Sequence, residues 1–165
     1  QARMMQAQIL EQEFDKQSLK SKAERVHLVL ALKTEKLEKA QTAYQAVIRY
    51  GDPGSSVEAL RRLAHLYGSY VTAIRTMPLP EGVPQEEETA FRAEIDNLAI
   101  PMEEKSVQTM AQALNEARRL QLHDGTVPKI QGELDQLNMR PKKESLVKFS
   151  QPGIVVPVFK EAVGS

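Results

Sequence analysis

Apolar residues recur at three- and four-residue intervals through most of this sequence, the spacing that aligns side chains on one face of an α-helix. The strongest run covers residues 22–50, where Val26, Leu30, Leu37, Ala40, Tyr44 and Val47 share a face and Lys33 interrupts the seam. A looser stripe of Met5, Ile9 and Phe14 predicts a helix over residues 2–20. Leu60, Leu63, Ala64 and Tyr67 predict another from Ser55 to Met77, with one small residue amid large ones. Phe91, Ile95 and Leu98 mark a short helix, and Val107, Met110, Leu114, Ala117 and Leu120 mark the next. Ile130, Leu134 and Leu137 mark the last.

Turn and capping residues divide these runs. Gly51 is expected to take the left-handed position after the second helix, and Pro53 to prevent its continuation. Ser55 with Glu58 reads as a capping box for the third helix. "PLPEGVP" at 78–84 is a proline-rich break, and Glu86, Glu87 and Glu88 then suit a first helical turn. Pro101 is expected to end the short helix, with Glu103 and Glu104 starting another. Gly125 closes that one and Thr126 caps the last. Beyond Arg140 the sequence becomes β-branched and is punctuated by Pro152 and Pro157, which predicts an extended tail. The expectation is all-α, about six helices in antiparallel pairs joined by short connections. It divides the chain into an N-terminal helix (1–20), a helical domain (21–139) and an extended C-terminal tail (140–165).

Composition narrows the function. Basic and acidic residues number 22 each with no long basic run, which argues against a nucleic-acid-binding face. There is no cysteine, so disulfides and thiolate metal sites are excluded. No stretch approaches the roughly 20 apolar residues of a membrane span. The sequence opens on Gln1, which fits a processed or truncated product whose signal or anchor lay upstream.

"ALRRLAHLY" (59–67) and "KAQTAYQAVIRYGDP" (39–53) resemble the first and second helices of a tetratricopeptide repeat. The segments "EKAQTAYQA" (38–46) and "EKSVQTMAQA" (104–113) also echo each other, with a small residue (Ala40, Ser106) four before a large one (Tyr44, Met110). The helix pairs recur at a longer interval than the roughly 34 residues of that family, so the array reads as degenerate. The resemblance implies a TPR-like solenoid, with Ala64 a close-packing contact between helices and a concave face that binds a partner polypeptide. The style of "MPLPEG…EEETAFRAEI…AIPMEEKS" is similar to repeat proteins of Gram-negative bacterial envelopes, and implies a periplasmic or outer-membrane-associated location.

Candidate chemistry is sparse. His27, His65 and His123 have no partners at metal-ligand spacing, so no metal and no cofactor is expected. His123 beside Asp124 invites a base-and-orienter reading, but a helix end accounts for the pair. "GDPGSS" (51–56) could bind phosphate at a helix start, but it lacks a P-loop lysine and reads as a turn. The acidic groups after prolines fit the helix dipole, and Met77, Met102, Met110 and Met139 fit core filling.

The expected function is therefore a non-enzymatic scaffold or adaptor that binds a protein or peptide partner. On helix 56–77 the expected contact residues are Arg61, Arg62, His65, Tyr70 and Arg75, with a solvated helix face as the plainer account. The tail residues Ile154, Val155, Val156, Val158 and Phe159 are expected to pack on their own helices or on a second copy. The alternatives are a structural oligomer that pairs helix 22–50 as a coiled coil, or an accessory domain of a larger protein.

Overall fold

The computed structural model describes residues 1–140. Among the described residues there are five α-helices: α1 (Ala2–Lys16), α2 (Val26–Tyr50), α3 (Pro53–Arg75), α4 (Glu88–Arg119) and α5 (Thr126–Met139). Single 3₁₀ turns, Ala23–Arg25 and Gln85–Glu87, lead into α2 and α4. Each helix packs on its neighbours in sequence, with α3 between α2 and α4. Only Gly51 and Asp52 separate α2 from α3, so these two run antiparallel. The longer connections are tied to each other. The Ala23 amide donates to the Glu81 carbonyl at 2.8 Å, and the Glu81 amide donates to Ser21 at 3.3 Å.

The periodic stripes become the core. Val26, Leu30, Leu37, Ala40, Tyr44 and Val47 are all buried, as are Phe91, Ile95, Met110, Leu114, Ala117 and Ile130. In α1 the buried side is Ala7 and Phe14, with Met4 and Leu10 packed against it, while Met5 and Ile9 face outward. Apolar contacts form two clusters. The larger joins α1, α2, most of α3 and the first half of α4. The smaller joins Val57, Leu60 and Ala64 of α3 to the second half of α4 and to Ile130 of α5.

Small residues set the approach of α3 and α4. Ala64 is fully buried, and its carbonyl accepts a 2.8 Å hydrogen bond from the buried Ser106 hydroxyl. One turn on, a Cβ added at Gly68 would stand 3.4 Å from the Ser106 oxygen. A larger side chain at Ala64 would push the two backbones apart.

Five expectations are corrected. Pro101 does not end a helix: it lies inside the 32-residue α4, so the fourth and fifth expected helices are one. Proline removes one backbone donor, which leaves the Asn97 carbonyl without its helical partner. Asn97 is exposed, so water can satisfy that oxygen and the helix continues. Gly51 is extended (φ −81°, ψ 171°), and a Cβ there would meet the Val47 carbonyl at 2.5 Å. Asp52, not Ser55, caps α3, accepting from the Ser55 amide at 2.9 Å with Pro53 in the first turn. Glu58 turns instead to Arg61 and Arg62. The end of α4 relies on Gln121 in the left-handed region (φ 52°). There Leu122 donates back to Ala117 and Gln121 to Arg118. Gly125 (φ 85°) opens α5 instead. Met139, expected in the core, is exposed.

Candidate functional site

His65, Gly68, Ser69, Thr72 and Ala73 recur at three- to four-residue spacing, so they form one stripe of α3 away from its apolar face. Apart from His65 these side chains are short, and the helix surface is low along the stripe. Phe14 and Asp15 at the end of α1, Lys33 of α2, Ser106 of α4, and Leu137 and Arg140 at the end of α5 surround it. The result is a cleft of about 380 Å³. Its floor is α3, and the ends of α1 and α5 form its walls.

Lys33 fixes one wall. It is 4% exposed, and its Nζ donates to the carbonyls of Phe14 at 2.6 Å and Gln17 at 3.2 Å. The ammonium sits 3.8 Å from the centre of the Phe14 ring. The cation thus closes the carbonyl end of α1, where the helix dipole is negative. Burial lowers its pKa, and the charge of Asp15 opposes that shift.

A charged network joins the helices at the near end of the stripe. Arg61 grips Glu58 through two 2.8 Å hydrogen bonds and reaches Glu133 of α5 at 3.1 Å. His65 meets the same carboxylate at 3.0 Å. Arg62 donates to Glu58 at 2.9 Å and lies 3.5 Å from Glu11 of α1. Tyr44 of α2 donates its hydroxyl to Glu11. Burial and that carboxylate hold the Tyr44 hydroxyl well above the usual tyrosine range. Burial pushes the Glu58 carboxyl up, but Arg61 and Arg62 outweigh it and hold it below the usual range. One face of α3 therefore bonds to α1 in one direction and to α5 in the other.

The residues expected to contact a partner are placed as follows. Arg61, Arg62 and His65 sit beside the cleft with their polar atoms engaged within the chain. Arg75 is engaged too, with Glu103 at 2.9 and 3.0 Å and Asp96 at 3.2 Å, binding α3 to α4. Tyr70 is not on this surface: it is 1% exposed, and its hydroxyl shares a 3.1 Å hydrogen bond with Thr34. It sits one position from the stripe and turns into the α2 seam. Ile154, Val155, Val156, Val158 and Phe159 lie outside the described residues. The floor residues Gly68, Ser69, Thr72 and Ala73 escaped the sequence reading. Their signal was the run of short side chains in "GSYVTA" opposite the apolar stripe.

The other candidate motifs resolve into local structure. Asp124 accepts from the Thr126 amide at 3.1 Å, which makes "HDG" a turn before α5. Asp52 takes the Ser55 amide that an anion at "GDPGSS" would need. A second groove of about 510 Å³ runs between α1 and α2, lined by Arg3, Gln6, Leu10, Glu35, Glu38, Lys39, Thr42, Ala43 and Ala46. Among the described residues no three His, Asp or Glu side chains converge on a metal-sized site, and no helix is long and apolar enough to cross a membrane.

No family model matches this sequence, and no match was found among curated proteins or solved structures.

Proposed function

We propose that the protein is a non-enzymatic scaffold that holds an extended segment of a partner polypeptide in the α3 cleft. The observation that carries this reading is the cleft itself: a low floor of short side chains walled by α1 and α5. A groove of this kind accepts side chains of an extended peptide, while Ser69 and Thr72 offer hydroxyls to its backbone. Most of the lining comes from α3, with single residues or pairs from the other four helices around it. The small-residue contact at Ala64 and Ser106 adds support to a TPR-like stack. The likeness of the "MPLPEG" region to envelope repeat proteins supports a partner within a bacterial envelope complex.

The coiled-coil alternative has less support. Leu30 and Leu37, the residues it needs, are 1% and 0% exposed within their own molecule.

A photo-reactive amino acid at Thr72 of the full chain tests the reading in the cells that make the protein. A discrete cross-linked polypeptide, absent when the probe stands at the exposed Glu104 of α4, is the expected result. Identical products from both positions, or none from Thr72, would overturn it.

A further inference from the structure

We propose that α1 is a self-association surface, on which a second copy of this chain lays its own α1 in the antiparallel direction. A helix that merely rests on a fold needs one apolar face, and α1 carries two. Ala7 and Phe14 are buried, with Met4 and Leu10 packed beside them. Met5 and Ile9 lie on the opposite side, 62% and 51% exposed. Tyr50 of α2, also exposed, stands at the same edge, with the Arg3 guanidinium 5.2 Å from its ring. Exposed apolar side chains gathered at one edge mark an interaction surface.

The fold offers this edge for continuation. α1 packs mainly on α2. Arg3 meets Tyr50 near one end, Glu11 meets Tyr44, and Phe14 meets Lys33 near the other, so α1 runs antiparallel to α2. A second α1 laid antiparallel on the outer side extends that alternation by one helix and covers Met5 and Ile9.

Charge selects a second copy as the occupant. The groove between α1 and α2 has Arg3 at one end and Glu35, Glu38 and Lys39 at the other. Lys39 bonds Glu35 at 2.6 Å, which leaves Glu38 as the excess anion of that end. Arg49, 5.9 Å from the Tyr50 ring, adds to the basic end. Between the ends Thr42, Ala43 and Ala46 are short and uncharged. A surface basic at one end and acidic at the other is complementary to itself across a two-fold axis through its middle. Arg3 of each copy then approaches Glu38 of the other, so the contact is made twice. Parallel pairing would set Arg3 against Arg3. The zero net charge of the chain adds no long-range repulsion. This surface shares no residue with the α3 cleft, so the proposal goes beyond the peptide-binding reading and stands independently of it.

Sedimentation of the full chain at low salt, from about 10 μM to about 1 mM, tests it. The expected result is a reversible equilibrium between monomer and dimer. Arg3, Ile9 and Glu38 are all exposed, so substitutions there preserve the fold. Ile9→Lys should weaken the dimer roughly tenfold or more. Arg3→Glu and Glu38→Arg should each weaken it roughly threefold or more, because each variant alone makes both end contacts repulsive. Mixing those two variants should restore association, since every end contact between unlike copies is then attractive. A mixture that associates no more tightly than either variant alone would overturn the proposal, and so would a dimer that Ile9→Lys leaves intact. A chain that stays monomeric throughout would also overturn it, and would leave this face to a different occupant. The assay involves neither Thr72 nor an outside partner, so its failure is distinct from a failure of the cleft to cross-link one.

Discussion

Lys33 illustrates how one side chain joins two helices. Its ammonium satisfies the Phe14 and Gln17 carbonyls, and Phe14 itself is fully buried. Replacing it with methionine keeps the apolar stem and removes both hydrogen bonds. Lys33→Met should therefore destabilise the fold by about 1–3 kcal/mol, the usual cost of leaving buried polar groups unpaired. Urea midpoints measure this, and amide exchange at the end of α1 should accelerate. The pH dependence has a definite sign. Burial lowers the Lys33 pKa from 10.5, so above the folded value the unfolded chain holds more protons. Stability contributed by wild-type Lys33, relative to methionine, should rise as pH climbs toward 10.5. Periodicity read Lys33 only as a flaw in a seam, because its carbonyl partners lie 19 and 16 residues away and leave no local trace. Gln121 is the opposite kind of case. It holds a left-handed backbone (φ 52°) without the freedom of glycine. Gln121→Gly should stabilise by about 1 kcal/mol, read as a higher urea midpoint with an unchanged slope. A shift to a lower midpoint would contradict the strain.

Helix α4 tests how much an internal proline costs when its freed carbonyl faces outward. The 32-residue helix passes Pro101 between Ile100 and Met102, both buried, so packing on either side holds the chain helical. Pro101→Ala restores an amide donor toward Asn97 and should stabilise by about 1–3 kcal/mol. Thermal unfolding checks it, and a fall in midpoint would mean that the proline ring is itself required for packing. This helix also marks the boundary of what the sequence disclosed. The apolar stripes of α2, α3 and α4 were legible because each repeats over several turns. Two ends were misplaced: α3 was expected to start at Ser55 but starts at Pro53, and Pro101 was treated as a break. Proline suits a first helical turn in one case and a solvated outer face in the other. The α3–α4 crossing was foreshadowed by Ala64 and by Ser106, whose small size only matters when two backbones meet. The cleft was less legible. Its floor follows from short side chains on α3, but its walls come from α1 and α5, which only the tertiary arrangement brings together.

The two apolar clusters imply that the molecule does not open all at once. The larger spans α1, α2, most of α3 and the first half of α4, and holds most of the large side chains. The smaller depends on α5, where Ile130 is the only fully buried residue and Leu134 and Leu137 are partly exposed. Polar links from α5 to α3 run through Glu133 to Arg61 and His65, and such partly exposed ion pairs contribute little on their own. α5 should therefore detach before the rest, as a unit with its own opening free energy. Ile130→Ala isolates this behaviour. Removing that buried side chain should cost about 2–5 kcal/mol if the whole fold senses it. If α5 opens independently, the cost appears only there. The expected outcome is faster hydrogen exchange across α5 and the second half of α4, while amides around Leu37 and Tyr44 of α2 keep wild-type protection. Equal acceleration in α2 would show a single cooperative unit instead. Because Leu137 and Arg140 wall the cleft, an α5 that opens alone would also dissolve one side of it, so ligand in the cleft should slow α5 exchange more than α2 exchange.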